Sequence, residues 1–235
     1  MIRTSFFLVT MPLWTLFMML AGLPLSFISP DYLHNWGRLW AKGGLLLAGA
    51  QLNVHGLENI PRDQPVILMP NHASGFDILA MLAGTPIQFR WLAKTELFRI
   101  PIFGLTMLRA GYIPIDRSDR RKALISMKEA AQRISHGTSV TIFPEGTRTP
   151  DGTLLPFKKG GFMLALQSGA KLVPVAIKGS FEVMSKNSLR LRSGRIDVTF
   201  FPPVDVAGKT AHDVPHLMEQ VSTPIAAQLA TPGAA

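Results

Sequence analysis

In a chain of 235 residues, one histidine and one aspartate stand in a spacing that suits proton transfer: His72 and Asp77, within Asn71-His72-Ala73-Ser74-Gly75-Phe76-Asp77. On a straight helix two residues five apart point about 140° away from each other. They meet only if His72 lies in a turn and Asp77 in the first turn of a following helix. Gly75 is expected to make that bend cheap. Asp77 then accepts the proton on one imidazole nitrogen and leaves the other free as a general base. Taken alone, the same residues also fit a helix-capping aspartate beside an ordinary loop histidine. The flanking runs supply the frame. Pro65–Met69 reads as a buried strand ending at Pro70, and Ile78–Ala83 as a helix closed by Gly84. A strand-to-helix turn at the carboxyl end of a strand is where open α/β sheets place their sites.

Three further blocks have the same form. Gly111-Tyr112-Ile113-Pro114-Ile115-Asp116-Arg117 is an apolar strand ending in an arginine suited to bidentate phosphate binding, or to a surface pair with Asp116. In Thr141-Ile142-Phe143-Pro144-Glu145-Gly146-Thr147-Arg148 a strand stops at Pro144 and a turn presents Glu, Gly, Thr and Arg. Glu145 is placed to hold a hydroxyl and Arg148 a phosphate, with Gly146 letting the backbone approach a ligand. The bland alternative is a Pro-Gly turn with an incidental ion pair. Just beyond, Phe157-Lys158-Lys159-Gly160-Gly161 opens a helix with positive charge, which favours an anion. Leu172–Ile177 reads as a core strand broken by Pro174, with packing as its role.

These motifs need an α/β frame, and the chain has one. Strands are expected at Gln51–His55, Pro65–Met69, Phe89–Ala93, Gly111–Ile115, Ser139–Phe143, Leu172–Ile177 and Arg195–Phe200. Helices are expected near Ile78–Ala83, Ile102–Ala110, Asp119–His136, Gly161–Ser168 and Ala211–Leu229. Alternation of the two implies a mostly parallel mixed sheet flanked by helices. Residues 4–30 carry no charged side chain. They are long enough to span a hydrocarbon core, and Tyr32 to Ala50 adds Trp36, Trp40, Arg38 and Lys42 beside an apolar run. One spanning helix and a helical pair dipped into one leaflet both fit; a hairpin buried in a soluble core fits less well. The expected division is an apolar membrane-associated region over 1–50, an α/β domain over 51–230 and a flexible tail over 231–235.

The chain has no cysteine, which excludes disulfides, thiolate metal sites and a cysteine nucleophile. The remaining histidines show no metal-ligand spacing, and Ser74 lies in no nucleophile elbow. A net charge of +9 favours anionic partners. The basic stretch from Arg120 to Arg133 reads first as a solvated helix face, with a membrane-facing or phosphate-facing role as the alternative.

Together the blocks resemble the glycerolipid acyltransferases, specifically the 1-acyl-glycerol-3-phosphate (lysophosphatidate) acyltransferases. The resemblance rests on Asn71-His72-x4-Asp77, Gly111 through Arg117, Phe143 through Arg148, Val173-Pro174-Val175 and Lys94-Thr95-Glu96-Leu97-Phe98-Arg99-Ile100-Pro101, in order between Leu52 and Phe201. It implies acyl transfer from acyl-CoA or acyl-carrier protein to the free hydroxyl of a lysophospholipid, giving phosphatidic acid. His72 and Asp77 would be catalytic. Arg117, Glu145, Gly146, Thr147 and Arg148, with Lys94 as a further candidate, would bind the headgroup. No metal or redox cofactor is implied. The N-terminal region is similar in composition to the membrane-docking helices of bacterial members, which implies an inner-membrane enzyme with its site facing the cytoplasm. Other acceptors of the same family, such as glycerol-3-phosphate or a lyso-ornithine lipid, share these motifs. A non-catalytic anionic-lipid-binding protein explains the charge but not the ordered blocks, and no nucleic-acid partner is expected, because no groove-reading or aromatic-basic motif stands out.

Overall fold

The computed structural model describes residues 2–116 and 119–231. Among them, seven strands form one sheet in the order β1-β7-β6-β2-β5-β3-β4. These are β1 Ala50–His55, β2 Val66–Pro70, β3 Arg90–Lys94, β4 Ile113–Ile115, β5 Val140–Thr141, β6 Lys171–Lys178 and β7 Gly194–Phe200. The helices are α1 Ile2–Gly22, α2 Pro30–Ala48, α3 Phe76–Gly84, α4 Phe103–Arg109, α5 Arg120–Ser135, α6 Gly160–Ser168, α7 Ser180–Val183 and α8 Val214–Ala230. All strand pairs are parallel except β6 with β7. The mostly parallel mixed sheet read from the sequence is therefore present. The short α7 and four 3-10 turns had no signal in it.

Parallel pairing fixes where the loops go. Strands β2, β3, β4, β5 and β6 all run the same way, so their carboxyl ends meet at one end of the sheet. The segments leaving those ends begin at Asn71, Thr95, Asp116, Ile142 and Gly179. The order also inserts β5 between β2 and β3, which brings Phe143–Arg148 beside His72.

β2 shows why these strands read as continuous apolar runs. Val66 and Leu68 face one core layer, with Phe76, Met81, Phe89 and Val173. Ile67 and Met69 face the other, with Phe162, Leu172, Leu217 and Val221. Burial on both faces leaves no polar side to alternate. Pro174 does not break β6, contrary to the expectation. It sits where β6 changes partners, between the Leu172–Val204 bridge and the β7 ladder that starts at Val175, and its carbonyl accepts from the Phe201 amide at 3.0 Å. A missing N–H costs little at such a gap.

The N-terminal helices form a hairpin bonded through tryptophans. Trp14 Nε1 donates to the Trp40 carbonyl at 3.0 Å, Trp36 Nε1 to the Met18 carbonyl at 2.8 Å, and Trp40 Nε1 to Thr15 Oγ1 at 3.0 Å. Gly22 and Gly43 leave room for the rings: a Cβ there would lie 2.3 Å from Trp36 and 2.5 Å from Trp14. The hairpin also packs on the α/β core. Phe7 stacks on Phe76 with centroids 5.6 Å apart, Ala41 and Leu45 join the β2 core layer, and Thr4 Oγ1 accepts from the Leu191 amide at 3.2 Å. Its other side is exposed, including Val9, Leu13, Phe17, Leu39 and Leu46. Ile2–Phe27 is long and apolar enough to cross a membrane, with a mean hydropathy of 1.9 and only 17% of its apolar window buried.

Candidate active site

His72 leaves the end of β2 at Pro70, and Asp77 sits in the first turn of α3. His72 Nδ1 lies 2.9 Å from Asp77 Oδ2. The same oxygen accepts from the amides of Ala73 at 2.7 Å and Ser74 at 2.8 Å. A carboxylate oxygen only accepts, so the ring proton in this pair belongs to Nδ1 and Nε2 carries the lone pair. Asp77 is fully buried, and its Oδ1 has no partner among the described residues. Three donors thus converge on Oδ2 and fix the orientation of the buried carboxyl. The imidazole is clamped between other contacts. Its face stacks on Phe143 at 3.7 Å and 11°, and Phe143 stacks on Trp91 at 5.4 Å. The His72 amide donates to Glu145 Oε1 at 2.6 Å, and its carbonyl accepts from the Thr149 amide at 2.9 Å.

His72 lines a cavity of about 640 Å³. One part of the wall is apolar: Met18, Met19, Leu33, Leu82, Phe103 and Met107, drawn from α1, α2, α3 and α4. The other carries cations. Lys94, Arg148, Lys158 and Lys186 all line it, and among the described residues no acidic side chain does. Lys186 Nζ reaches Thr147 Oγ1 at 3.5 Å and the Arg148 carbonyl at 3.4 Å. Lys94 pairs with Glu96 at 3.1 Å on an exposed surface, so it remains available to exchange partners. His72 thus stands in a cavity lined both by hydrocarbon and by cations. That arrangement suits a molecule with an anionic head, a reactive hydroxyl and a hydrocarbon tail.

Residues 51–178 match the family model described as Acyltransferase. The chain belongs to this acyltransferase family. Within it, the chain stands with the 1-acyl-sn-glycerol-3-phosphate acyltransferases. It is 34% identical over 211 residues to the human 1-acyl-sn-glycerol-3-phosphate acyltransferase alpha, covering 88% of this chain and 75% of that one. It is 35% identical over 173 residues to the chloroplastic LPAT1 of Arabidopsis thaliana, covering 73% of this chain and 48% of that one. The crystal structure of the 1-acyl-sn-glycerophosphate (LPA) acyltransferase PlsC from Thermotoga maritima superimposes with a TM-score of 0.84 at 25% identity, over 99% of this chain and 97% of that one.

Of the residues singled out by sequence, the acyltransferase brings His72, Lys94, Gly146, Thr147 and Arg148 to one cavity, with Asp77 directly behind His72. Glu145 is elsewhere. It was expected to hold a substrate hydroxyl at the headgroup, yet it is 2% exposed and faces inward. Its Oε1 accepts from the His72 amide and its Oε2 from the Leu155 amide at 3.0 Å. Glu145 therefore braces the turn that carries His72 against the loop beyond β5. Burial pushes its pKa up to about 7, and the neighbouring Asp77 charge adds to this against the pull of the two amide bonds. Gly146 does adopt a conformation that favours glycine, at φ +74°, and a Cβ there would crowd the Lys158 side chain at 3.1 Å. Gly75 does not: at φ −64° it is ordinary helical backbone, so the bend owes nothing to it. It lines the cavity beside the Arg148 guanidinium, which would lie 3.9 Å from a Cβ at position 75. The amides of Ala73 and Ser74 are both committed to Asp77. Arg117 lies outside the described residues.

Sequence reasoning missed Lys186 and the aromatic stack of Phe143 and Trp91. Lys186 had a findable signal: it follows β6, whose carboxyl end lies beside that of β2. The stack had none, because β5 and β3 pair across about fifty residues of chain.

Proposed function

We propose that this acyltransferase moves a fatty acyl group from a thioester, acyl-CoA or acyl-carrier protein, to the free hydroxyl of 1-acyl-glycerol-3-phosphate, giving phosphatidic acid. The observation that carries the reading is the His72–Asp77 pair at the junction of the apolar and cationic parts of one cavity. His72 Nε2 takes the hydroxyl proton as the oxygen attacks the thioester carbonyl. Asp77 stabilises the imidazolium that forms. The C–O bond forms, the C–S bond breaks, and the proton passes from Nε2 to the departing thiolate. A thioester is already activated, so this chemistry calls for no covalent enzyme intermediate, metal or redox cofactor. Arg148, Lys158 and Lys186 hold the phosphate, with Lys94 at the margin. The apolar wall takes the hydrocarbon chain.

The N-terminal hairpin fits a place in one leaflet. α1 is fastened to the domain near its start by Thr4, whose hydroxyl accepts from the Leu191 amide, and by Phe7, and to α2 by Arg3 and Met18. A helix held along the domain in this way lies with it at the membrane surface and does not cross. The thioester donors are cytoplasmic metabolites, so the cavity faces the cytoplasm, and an inner-membrane location follows for a bacterial enzyme.

The test is acyl transfer to lysophosphatidate by the purified wild type and His72→Ala, with acyl-CoA as donor and glycerol-3-phosphate as a parallel acceptor. Loss of a positioned base should cost roughly 10²–10⁴-fold in rate while folding is retained. Full turnover by His72→Ala would overturn the mechanism. Wild-type transfer to glycerol-3-phosphate alone would reassign the acceptor.

A further inference from the structure

The 3-10 turn Thr95–Arg99 and helix α4 carry an unexplained surface. Leu97, Ile100, Ile102, Leu105 and Leu108 are 37–52% exposed, in a segment outside the N-terminal hairpin. Leu105 and Leu108 lie three apart on one side of α4, while Gly104, Met107 and Ala110 face inward. In water a short helix gains nothing from a leucine face turned outward, and a contiguous apolar patch marks an interaction surface. Three observations identify what covers it. The patch adjoins the end of the apolar N-terminal segment, because the Arg109 guanidinium lies 5.0 Å over the Phe27 ring. Arg99 and Arg109 flank it, and helix α5, whose Arg133 donates to the Gly111 carbonyl just past α4, turns Leu124 and Ile125 outward at 60% and 53% exposure among exposed Arg121, Lys122 and Lys128. Apolar side chains rimmed by cations match the interface of an anionic bilayer. Finally, α4 and α1 form two walls of the same cavity: Phe103, Thr106 and Met107 on one side, Thr15, Met18 and Met19 on the other.

We propose that the segment Leu97–Leu108 is a second membrane-docking element, seated in an anionic leaflet opposite the N-terminal hairpin. With both walls in the lipid, the cavity opens sideways into the leaflet. A lysolipid then slides in tail-first from the bilayer and brings its phosphate to the cations at the headgroup level, without crossing water. The inference rests on the reading of the hairpin as membrane-seated.

Because the chain has no cysteine, one introduced thiol carries one label. Three full-length variants would bear a polarity-sensitive fluorophore: Leu105→Cys on α4, Phe17→Cys on α1, and Glu219→Cys on α8 as a solvent control. Each is mixed with phosphatidylglycerol–phosphatidylethanolamine vesicles doped with an acyl-chain nitroxide lipid. An inserted position should be quenched roughly twofold or more and shifted to the blue. The proposal expects this at Leu105 as at Phe17, and not at Glu219. It also expects the double variant Leu105→Glu, Leu108→Glu to lose about tenfold or more in vesicle partitioning, since two leucines leave the apolar phase. A Leu105 probe that behaves like the Glu219 probe while Phe17 is quenched would overturn it. Absence of quenching at all three positions would overturn it together with the hairpin's seat. Neither Leu105 nor Leu108 lines the cavity. Turnover of the variants on detergent-dispersed lysophosphatidate therefore tests the reaction separately from the docking.

Discussion

Replacing Glu145 by glutamine should flatten the neutral part of the protein's stability profile. The wild-type carboxyl is almost fully buried, and burial raises its pKa from 4.5 to about 7. A raised pKa in an acid means that folding favours the protonated form. The contribution is complete below about 4.5, where the unfolded chain is protonated too, and is lost as pH rises through about 7. That rise corresponds to about 3 kcal/mol between the two limits. Glutamine removes the titration but keeps the shape. It has one carbonyl oxygen for two amide donors, those of His72 and Leu155, so it leaves one buried hydrogen bond unmade, at about 1–3 kcal/mol. The wild type should therefore be the more stable protein at pH 5, and by pH 8 the gap should close or reverse. Guanidinium unfolding in detergent, followed by tryptophan fluorescence at pH 5, 6, 7 and 8, gives both curves. Curves that stay parallel within about 1 kcal/mol would refute the reasoning, because they would mean that Glu145 does not change its protonation between those limits. The same variant should lower kcat, because the amide it releases belongs to the catalytic histidine.

Asp77→Asn should fold and still bind acceptor, with kcat reduced roughly 10²–10⁴-fold, because an amide cannot balance an imidazolium; steady-state kinetics at saturating acceptor measure this. Lys186→Ala should raise KM for the phosphorylated acceptor about tenfold with little change in kcat, and make KM less sensitive to salt. An unchanged KM would remove Lys186 from the phosphate site. Ile102 is the non-glycine residue with positive φ among the described residues, at +62°. Ile102→Gly should relieve strain of about 1 kcal/mol and raise Tm by about 2–4 °C in a detergent melt; a lowered Tm would refute it.

Residue type marked the ends of strands well and directions poorly. The β2 run and the His72–Asp77 spacing were legible because both are local: a strand buried on both faces leaves one continuous apolar stretch, and two residues five apart meet only across a turn. The shared end of the sheet was legible as well, since parallel strands put every carboxyl-end loop in one place. What the pattern could not fix was which way a side chain points once it arrives there. Glu145 has the chemistry of a ligand-binding residue, and its role as a brace depends on β5 settling beside β2, a pairing made across about seventy residues of chain. Gly75 looked necessary for a bend and is instead a vacant space beside Arg148. The cavity itself was the least legible feature. Its apolar wall draws on Leu33 and Trp36 of α2 and on Met18 and Met19 of α1, and α1 is so uniformly apolar that no helical face stands out in it. A helix that serves lipid on one side and a substrate chain on the other needs hydrocarbon on both. The uniform hydrocarbon that made α1 read only as a membrane anchor is thus the feature that lets it also line the cavity.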